Sequence, residues 1–371
     1  MRRRWLVAAV AASSAALGAC TSPGAGTTSA PATSGVRGPL TGKEMAAIVT
    51  ATMATNNRAN SSLDLRLLES YEAGSALAID AASYAEAAKA AASDCSFAPF
   101  DMAVLETVAL GDSAYPRRFV ALGSSRPLPP PAGCPTASNP CPHADSLFEF
   151  EQAAPGASWK IVLEPSAGAG RVVDFSTGAP AGAAPAGVAA ARRLPAAVAA
   201  ALGTYEATGR LGRLQASDFS SSCWLIPNPR AAYEEDLKGG VTLRQIYSPA
   251  PDEAAVPISG GHALGLFTLL FVTTLVPRTP DGVIDWVSDA AADPVTGLLA
   301  SGAYSRIVED GSVEVAAETA GTGAFRIIGA YSGVTSVTGT AGSAPHGSGG
   351  GGILVSEVEP SSRAPAALSR R

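Results

Sequence analysis

The chain has 371 residues and a formal net charge of −6, and charged residues make up 16% of it, compared with roughly 25% in ordinary soluble domains. This acidic balance lacks the basic surface of a nucleic-acid-binding protein, and the three histidines provide little material for a His-rich metal site. We therefore expect no nucleic-acid partner, no metal and no cofactor. The length is sufficient for about two domains that each bury a core.

The first twenty residues have the order of a bacterial export signal. Arg2–Arg4 precede a short apolar segment, Trp5–Ala16, which falls short of the roughly 20 residues that a bilayer span needs. The next four residues, Leu17-Gly18-Ala19-Cys20, resemble the lipobox of bacterial lipoproteins. This resemblance implies that residues 1–19 are a lipoprotein signal peptide, and that the Cys20 thiol receives diacylglycerol with fatty acids such as palmitate. The alternative is an ordinary secretory signal with an incidental cysteine.

The segment that follows the lipobox predicts a flexible tether. Residues 21–40 consist mainly of Ser, Thr, Gly, Pro and Ala, with a single charge at Arg37, and such a composition cannot form a core. Signal cleavage removes three arginines and so changes the formal charge from −6 to −9. We expect a lipid-anchored protein on the extracytoplasmic face of the cell membrane, whose acidic body stands away from anionic lipid.

The four cysteines downstream of the lipobox predict disulfides. An even number in an exported chain indicates a pair of bridges with three possible connectivities. Cys134 and Cys141 lie seven residues apart in a Pro-rich loop, which favours a local bridge and would leave Cys95 to pair with Cys223. Free or otherwise paired thiols are an alternative. A zinc site of Cys134, Cys141 and His143 is a further one, but its spacing matches no zinc pattern.

The N-terminal domain is predicted over residues 41–168. Thr41 and Glu44 form a capping-box pattern ahead of apolar residues at helical spacing. Two further helices are predicted at Leu63–Tyr71 and Asp80–Ala92, the second with Asp80 as its N-cap. Short β-type runs follow at Phe100–Leu110, Arg117–Leu122, Leu147–Gln152 and Trp159–Leu163. The last two of these runs form the clearest hairpin signal in the chain.

A second domain is predicted over residues 194–340, after an Ala/Gly/Pro-rich linker at residues 169–193. Its first element is a helix whose apolar face carries Leu194, Val198, Leu202 and Tyr205. Strands are then predicted at Val241–Tyr247, Leu264–Val276, Tyr304–Val308, Val313–Ala317 and Phe325–Tyr331. Residues 341–371 are predicted to be a flexible tail, in which the sequence leaves open whether residues 353–355 add a strand.

This order of elements predicts an α+β fold with two tandem domains, each with helices followed by an antiparallel sheet. Leu67–Tyr71, Tyr115–Val120 and Ser158–Ile161 resemble parts of the cystatin-like cone of the nuclear transport factor 2-like superfold. The lipobox, the tether and the tandem halves over residues 17–335 resemble a family of uncharacterised actinobacterial lipoproteins. These resemblances imply a fold with two cone-like domains and a location, but no catalytic residue.

The resemblance to a cone-shaped fold implies a possible pocket in its concavity, where some relatives use a carboxylate and a tyrosine for acid–base chemistry. The candidates by residue type are Tyr71, Asp80, Asp101 and Tyr115. Each has a structural alternative, namely a core aromatic for Tyr71, a helix cap for Asp80 and turn positions for the other two. His262 is interpreted as a turn residue, and the sequence has no hydrolase elbow, P-loop or dinucleotide motif.

Together these observations predict a non-catalytic binding or scaffold module of the cell envelope, with an unknown envelope protein or a small molecule as its partner. One alternative is a carrier of a small hydrophobic ligand, which should copurify with that ligand. The other is an enzyme, which should have a closed pocket with a perturbed carboxylate. A scaffold should instead expose an apolar patch.

Overall fold

The computed structural model describes residues 39–88, 99–111, 114–127, 145–167, 173–175, 186–208, 210, 212–213, 240–286, 298–321, 323–342 and 353–355. The predicted signal peptide, the lipobox, nearly all of the tether, all five cysteines and His143 lie outside these residues. Lipidation and disulfide pairing therefore stay predictions.

The first helix begins where the sequence predicts it. In α1 (Gly42–Ser62), the Glu44 N–H donates to Thr41 Oγ1 at 3.2 Å, and the Thr41 N–H donates to Glu44 Oε2 at 2.8 Å. This confirms the capping box. The side chain of Asn57 then binds both backbone groups of Phe100, at 2.6 and 3.0 Å, and so holds α1 against the sheet.

The next two helices begin at different residues from those predicted. α2 (Leu65–Tyr71) begins after Asp64, whose carboxylate accepts from the backbone N–H groups of Arg66 and Leu67. α3 extends over Gly74–Ala87, so the prediction of Asp80 as an N-cap is wrong. Asp80 lies in the middle of α3. The helix begins six residues earlier, in an apolar stretch that precedes the predicted helix.

Among the described residues, eleven strands and two further α-helices follow, and all of these strands belong to one sheet. They are β1 (Phe100–Leu110), β2 (Arg117–Pro127), β3 (Asp145–Gln152), β4 (Lys160–Leu163), β5 (Ser166–Ala167), β6 (Val241–Pro257), β7 (Ala263–Pro277), β8 (Ile284–Trp286), β9 (Gly302–Thr319), β10 (Phe325–Ala341) and β11 (Ile353–Val355). The helices are α4 (Ala186–Ala191) and α5 (Leu194–Thr208).

The main path of the sheet runs β1-β2-β3-β5-β10-β9-β7-β6, with antiparallel neighbours. The predicted β3–β4 hairpin is confirmed by the pairing of Glu151 with Lys160. The two runs predicted at Tyr304–Val308 and Val313–Ala317 are parts of β9. In the region predicted as a tail, β11 pairs in parallel with β8. Strand β6 ends the path, and its register with β7 is interrupted between Pro249 and Glu253.

The α+β class is confirmed, whereas the division into two tandem cone-like domains is not. Strand β5 pairs with Gly329 and Ala330 of β10, which joins the two predicted halves within one sheet. Gly38–Arg371 accordingly forms a single compact unit. The predicted linker at residues 169–193 lies mostly outside the described residues, except for residues 173–175 and 186–193.

Two separate sets of helices cover two of the buried cores. Helices α1–α3 cover a core whose buried members include Val49, Leu68, Phe119, Phe150 and Ile161. Helices α4 and α5 cover a second core whose buried members include Val198, Leu202, Phe267, Phe271 and Val315. Trp159 packs edge-on against Phe119, with ring centroids 5.2 Å apart, and Trp286 is buried in a smaller cluster. Trp286 is therefore a core residue, and Trp159 is partly buried against the core beneath α1–α3.

A third core connects the two predicted halves. It joins residues on the other face of β2 and β3 to residues of β6 and β7, and its buried members include Leu122, Leu147, Phe175, Val256, Leu264 and Leu266. Since residues alternate between faces along a strand, Leu264 and Leu266 lie on the face of β7 that also carries Thr268. The sheet therefore brings both halves around common buried residues.

The junction between β5 and β10 should be sensitive to an added methyl group. A Cβ atom at Gly329 would lie 2.8 Å from the Ser166 carbonyl oxygen and 3.3 Å from the Ala316 Cβ atom. We expect Gly329→Ala to lower the free energy of unfolding by about 1–3 kcal/mol, as overpacking does elsewhere, in a urea titration. Gly203→Ala on α5 is the control, because nothing lies within 4 Å of its new Cβ atom and alanine favours a helix. A Gly329→Ala protein as stable as the wild type would contradict close packing at this junction.

Candidate functional site: a buried carboxyl cluster beneath helix α3

Four carboxyl groups come together where α3 crosses the sheet. Glu72 directly follows α2, Asp80 lies on α3, Glu164 follows β4 and Glu314 lies on β9. Glu72 and Glu314 are 0% exposed and Asp80 is 8% exposed, while Glu164 is partly buried. We call these four residues the carboxyl cluster.

Both oxygens of Glu314 have partners from the N-terminal part of the chain. Its Oε1 atom accepts from the Ser75 hydroxyl of α3 at 2.6 Å, and its Oε2 atom accepts from the Glu164 backbone N–H at 2.5 Å. The Ser75 oxygen also lies 2.7 Å from Thr268 Oγ1 on β7. Glu314 therefore connects α3, the end of β4 and the two long strands β7 and β9.

A second polar contact joins α3 to β10. The Tyr331 hydroxyl donates to Asp80 Oδ1 at 2.5 Å. Helix α3 approaches the strand closely at Gly333, where a Cβ atom would lie 2.9 Å from Ile79 Cγ2. A glycine at this position thus permits the helix to lie on the strand.

Glu72 differs from the other carboxyl groups because neither of its oxygens has a hydrogen-bond partner among the described residues. The nearby Tyr71 hydroxyl is likewise buried without one. The Lys160 ammonium donates to the backbone carbonyls of Glu69 and Glu72, at 2.6 and 3.5 Å. A buried charge without a partner is costly, so a neutral, protonated Glu72 is favoured.

The surroundings raise the pKa of every carboxyl group in the cluster. Burial raises the pKa of Glu72 to about 9, with further increases from the charges of Asp80 and Glu314, against a smaller lowering effect of the neighbouring Tyr71 hydroxyl. Burial raises the pKa of Glu314 to about 8, against the opposing effect of the Ser75 hydrogen bond. Burial raises the pKa of Asp80 to about 6, and that of Glu164 well above its usual range. These raised pKa values favour the protonated forms of Glu72 and Glu314 near neutral pH.

The structure brings together two of the four candidate pocket residues. Asp80 belongs to the carboxyl cluster, and Tyr71 lies near enough for the Asp80 charge to act on its hydroxyl. Asp101 is exposed on β1 and Tyr115 is partly exposed before β2, so neither belongs to the same site. Sequence reasoning missed Glu72, Glu164, Glu314 and Tyr331. The one local signal was Glu314, which stands within the otherwise apolar run Val313–Ala317.

Outside the carboxyl cluster, the described residues provide two smaller features. His262 follows a turn, as predicted, and its Nδ1 atom lies 2.5 Å from Glu318 Oε1, while Glu318 also binds Arg326 at 2.6 Å. A surface depression beside β1 and β2, lined by Leu40, Arg117 and their neighbours, has room for about one water molecule.

The part of the chain that the structure describes contains no group of three or more His, Cys, Asp or Glu residues arranged to hold a metal ion. None of its helices combines the length and the hydrophobicity needed to cross a membrane.

Comparison with known proteins places the chain in a family without assigning it an activity. No curated protein matches the chain. A family model described as a domain of unknown function, DUF8094, matches residues 36–339, which is most of the chain and nearly all of the described structure. This match agrees with the predicted likeness to an uncharacterised family. The chain therefore belongs to the DUF8094 family.

Proposed function

We propose that this protein is an extracytoplasmic lipoprotein, anchored to the cell membrane through Cys20, whose folded body is a non-catalytic binding module. The observation that carries the proposal is the Leu17–Cys20 lipobox followed by a tether. In support, the family match begins at residue 36, and the first helix begins at Gly42 behind its capping box. The proposed anchor and most of the tether thus precede the residues that the family model matches.

The length of the tether gives the body some freedom above the membrane. Twenty residues of this composition have a reach of about 25 Å, from about 5–6 Å times the square root of their number. The net charge of the mature chain is negative, so an anionic leaflet repels the body. A partner in the envelope would therefore meet the body away from the lipid surface.

The candidate contact surface is a strip of three exposed apolar side chains on β6 and β7. Ile246 is 48% exposed, Leu270 45% and Val272 37%. Ile246 pairs directly with Val272, and Leu270 lies two residues before Val272, so all three share one face. Thr268, on the same face of β7, contacts Ser75 of α3. The three exposed side chains therefore lie next to the part of this face that α3 covers. We call these three residues the apolar strip.

A protein partner fits the apolar strip better than a small molecule does. Among the described residues, β6 has no neighbour on its outer edge, so its backbone groups can pair with an added strand. An envelope protein with an extended segment would combine these hydrogen bonds with contacts to the apolar strip. The proposed partner is therefore an envelope protein that adds a strand to β6.

Crosslinking in intact envelopes tests this binding function. We expect the double variant Ile246→Ser/Leu270→Ser to recover the crosslinked partner about tenfold less than the wild type, since a loss of about 1.4 kcal/mol is tenfold in affinity. Leu105→Ser on β1 is the matched control, because Leu105 is 48% exposed and lies outside the strip. Unfolding temperatures should change little in both proteins. Equal recovery from the double variant and the wild type would exclude the strip as the contact.

The alternatives that use a pocket have less support. Asp80 with Tyr331 is a carboxylate–tyrosine pair of the kind that an enzyme would need. However, Asp80 is 8% exposed, on the side of α3 that faces the sheet, so a substrate has little access to it. The depression beside β1 is too small for a carrier's ligand. The resemblance of the N-terminal half to the nuclear transport factor 2-like superfold stays a prediction.

A further inference from the structure

We propose that the contact of α3 with the sheet is a proton-dependent latch: α3 stays on β9 and β10 while the carboxyl cluster holds protons, and separates from them when the cluster is ionised. The latch would give the protein a response to the pH of its surroundings. It does not depend on the proposed binding function.

Two of the polar contacts that α3 makes with the C-terminal strands use carboxyl groups. Ser75 binds Glu314 at 2.6 Å, and Tyr331 binds Asp80 at 2.5 Å. Glu72, just before α3, is fully buried, and neither of its oxygens has a hydrogen-bond partner among the described residues. Ionisation of Glu72 would therefore place an uncompensated charge at the start of the helix.

The groups that face the cluster are predominantly acidic. Tyr71 lies on α2, Tyr84 on α3 and Tyr331 on β10, and burial raises the pKa of each of these phenols above its usual value. Glu149 of β3 adds a further carboxylate, in contact with Arg118 at 3.4 Å. The Lys160 ammonium, on β4, contacts backbone carbonyls. Ionisation therefore adds like charges that repel one another across the helix–sheet contact.

The sign of the pH dependence follows from the raised pKa values. A carboxyl group in an unfolded chain has a pKa near 4, whereas those of Asp80, Glu314 and Glu72 are about 6, 8 and 9. The folded state thus binds more protons than the unfolded state, so its stability falls as the pH rises. The loss of stability that these three groups cause is small below pH of about 4 and is complete above pH of about 9.

Hydrogen–deuterium exchange of the full-length protein in detergent tests the latch. After correction for the intrinsic exchange rate, we expect the protection of α3 to fall between pH 6 and pH 9, while that of α5, in the other core, changes less. Infrared spectra should show absorption from protonated carboxyl groups at pH 7. Protection of α3 that is independent of pH would contradict the proposal.

Two charge-removing variants make the test specific. At pH 9, Glu72→Gln and Glu314→Gln should each protect α3 at least tenfold more than the wild type does, because one pKa unit corresponds to a tenfold change. At pH 5 they should differ little from it. Glu69→Gln, at an exposed position of α2, is the control. Variants that behave like the wild type at pH 9 would refute the latch. Addition of CaCl2 to the wild type at pH 9 is a further test. If it restored the protection that α3 has at pH 6, the latch would also be refuted, because the cluster would then be a cation site.

Discussion

Replacing Cys20 with serine is expected to move nearly all of the protein from the membrane fraction to the soluble fraction. The anchor proposed at this residue has two acyl chains, and each buried methylene group contributes about 0.8 kcal/mol to membrane binding. Without the thiol no diacylglycerol can be attached, and the acidic body has no attraction to an anionic leaflet. Fractionation of cells followed by immunoblotting measures the change.

The serine variant keeps its export signal, whose apolar segment Trp5–Ala16 is too short to span a bilayer; a second variant removes this segment as well. In this variant, a secretory signal that is cleaved without lipidation replaces residues 1–20, and we expect the protein to be released from the membrane. An alkyne-labelled fatty acid should label the wild type and neither variant. If both variants sedimented with membranes like the wild type, another part of the chain would be the anchor.

Phe150→Ala is expected to lower the free energy of unfolding by about 3–5 kcal/mol, the cost of removing a large aromatic side chain from a core. Phe150 is 0% exposed and stacks on Phe119, with ring centroids 4.7 Å apart and planes 4° from parallel. The cavity would lie in the centre of the core beneath α1–α3. Urea titration followed by circular dichroism measures the loss.

The same experiment tests whether the protein unfolds as a unit. Since one sheet connects both halves, Phe150→Ala should shift a single transition that includes the signals of both cores. Leu105→Ala is the control, because a residue 48% exposed should change stability by no more than about 0.5 kcal/mol. Two transitions, of which the substitution shifts one, would instead support tandem domains.

The elements of the fold that the sequence predicts well are those with local signals. The Thr41–Glu44 box fixes the start of α1, and the apolar run at Leu264–Val276 corresponds closely to β7. The junction of the two halves has no such signal, because β5 consists of two residues and cannot show a periodicity. The strands of the two predicted halves belong to one sheet, which the sequence does not indicate.

Strand β9 shows how a turn signal can mislead. Glu309, Asp310 and Gly311 suggest a break, but all three lie within the strand. Gly311 has a packing role there, since the ring of Phe271 occupies the space that a Cβ atom would need. A contact between residues 40 positions apart cannot be predicted from the composition of either segment.

The sequence predicts only part of the carboxyl cluster, because its members are also distant from one another along the chain. Asp80 and Tyr71 were selected by residue type, whereas the partner of Asp80, Tyr331, is 251 residues away. Glu314 alternates with Val313 and Val315, which is the pattern of a strand with one face in solvent. It is buried because α3 covers that face.

The proline content of β6 limits what its open edge can bind. Pro249, Pro251 and Pro257 lie in the second half of the strand, and the register with β7 is interrupted there. Proline has no N–H to donate, so a continuous backbone ladder is possible along residues 241–248 alone. This hinders edge-to-edge aggregation of the protein, which is the hazard of a long flat edge strand. A short peptide of about eight residues still fits along residues 241–248. Synthetic peptides of that length are thus suitable competitors for the natural partner.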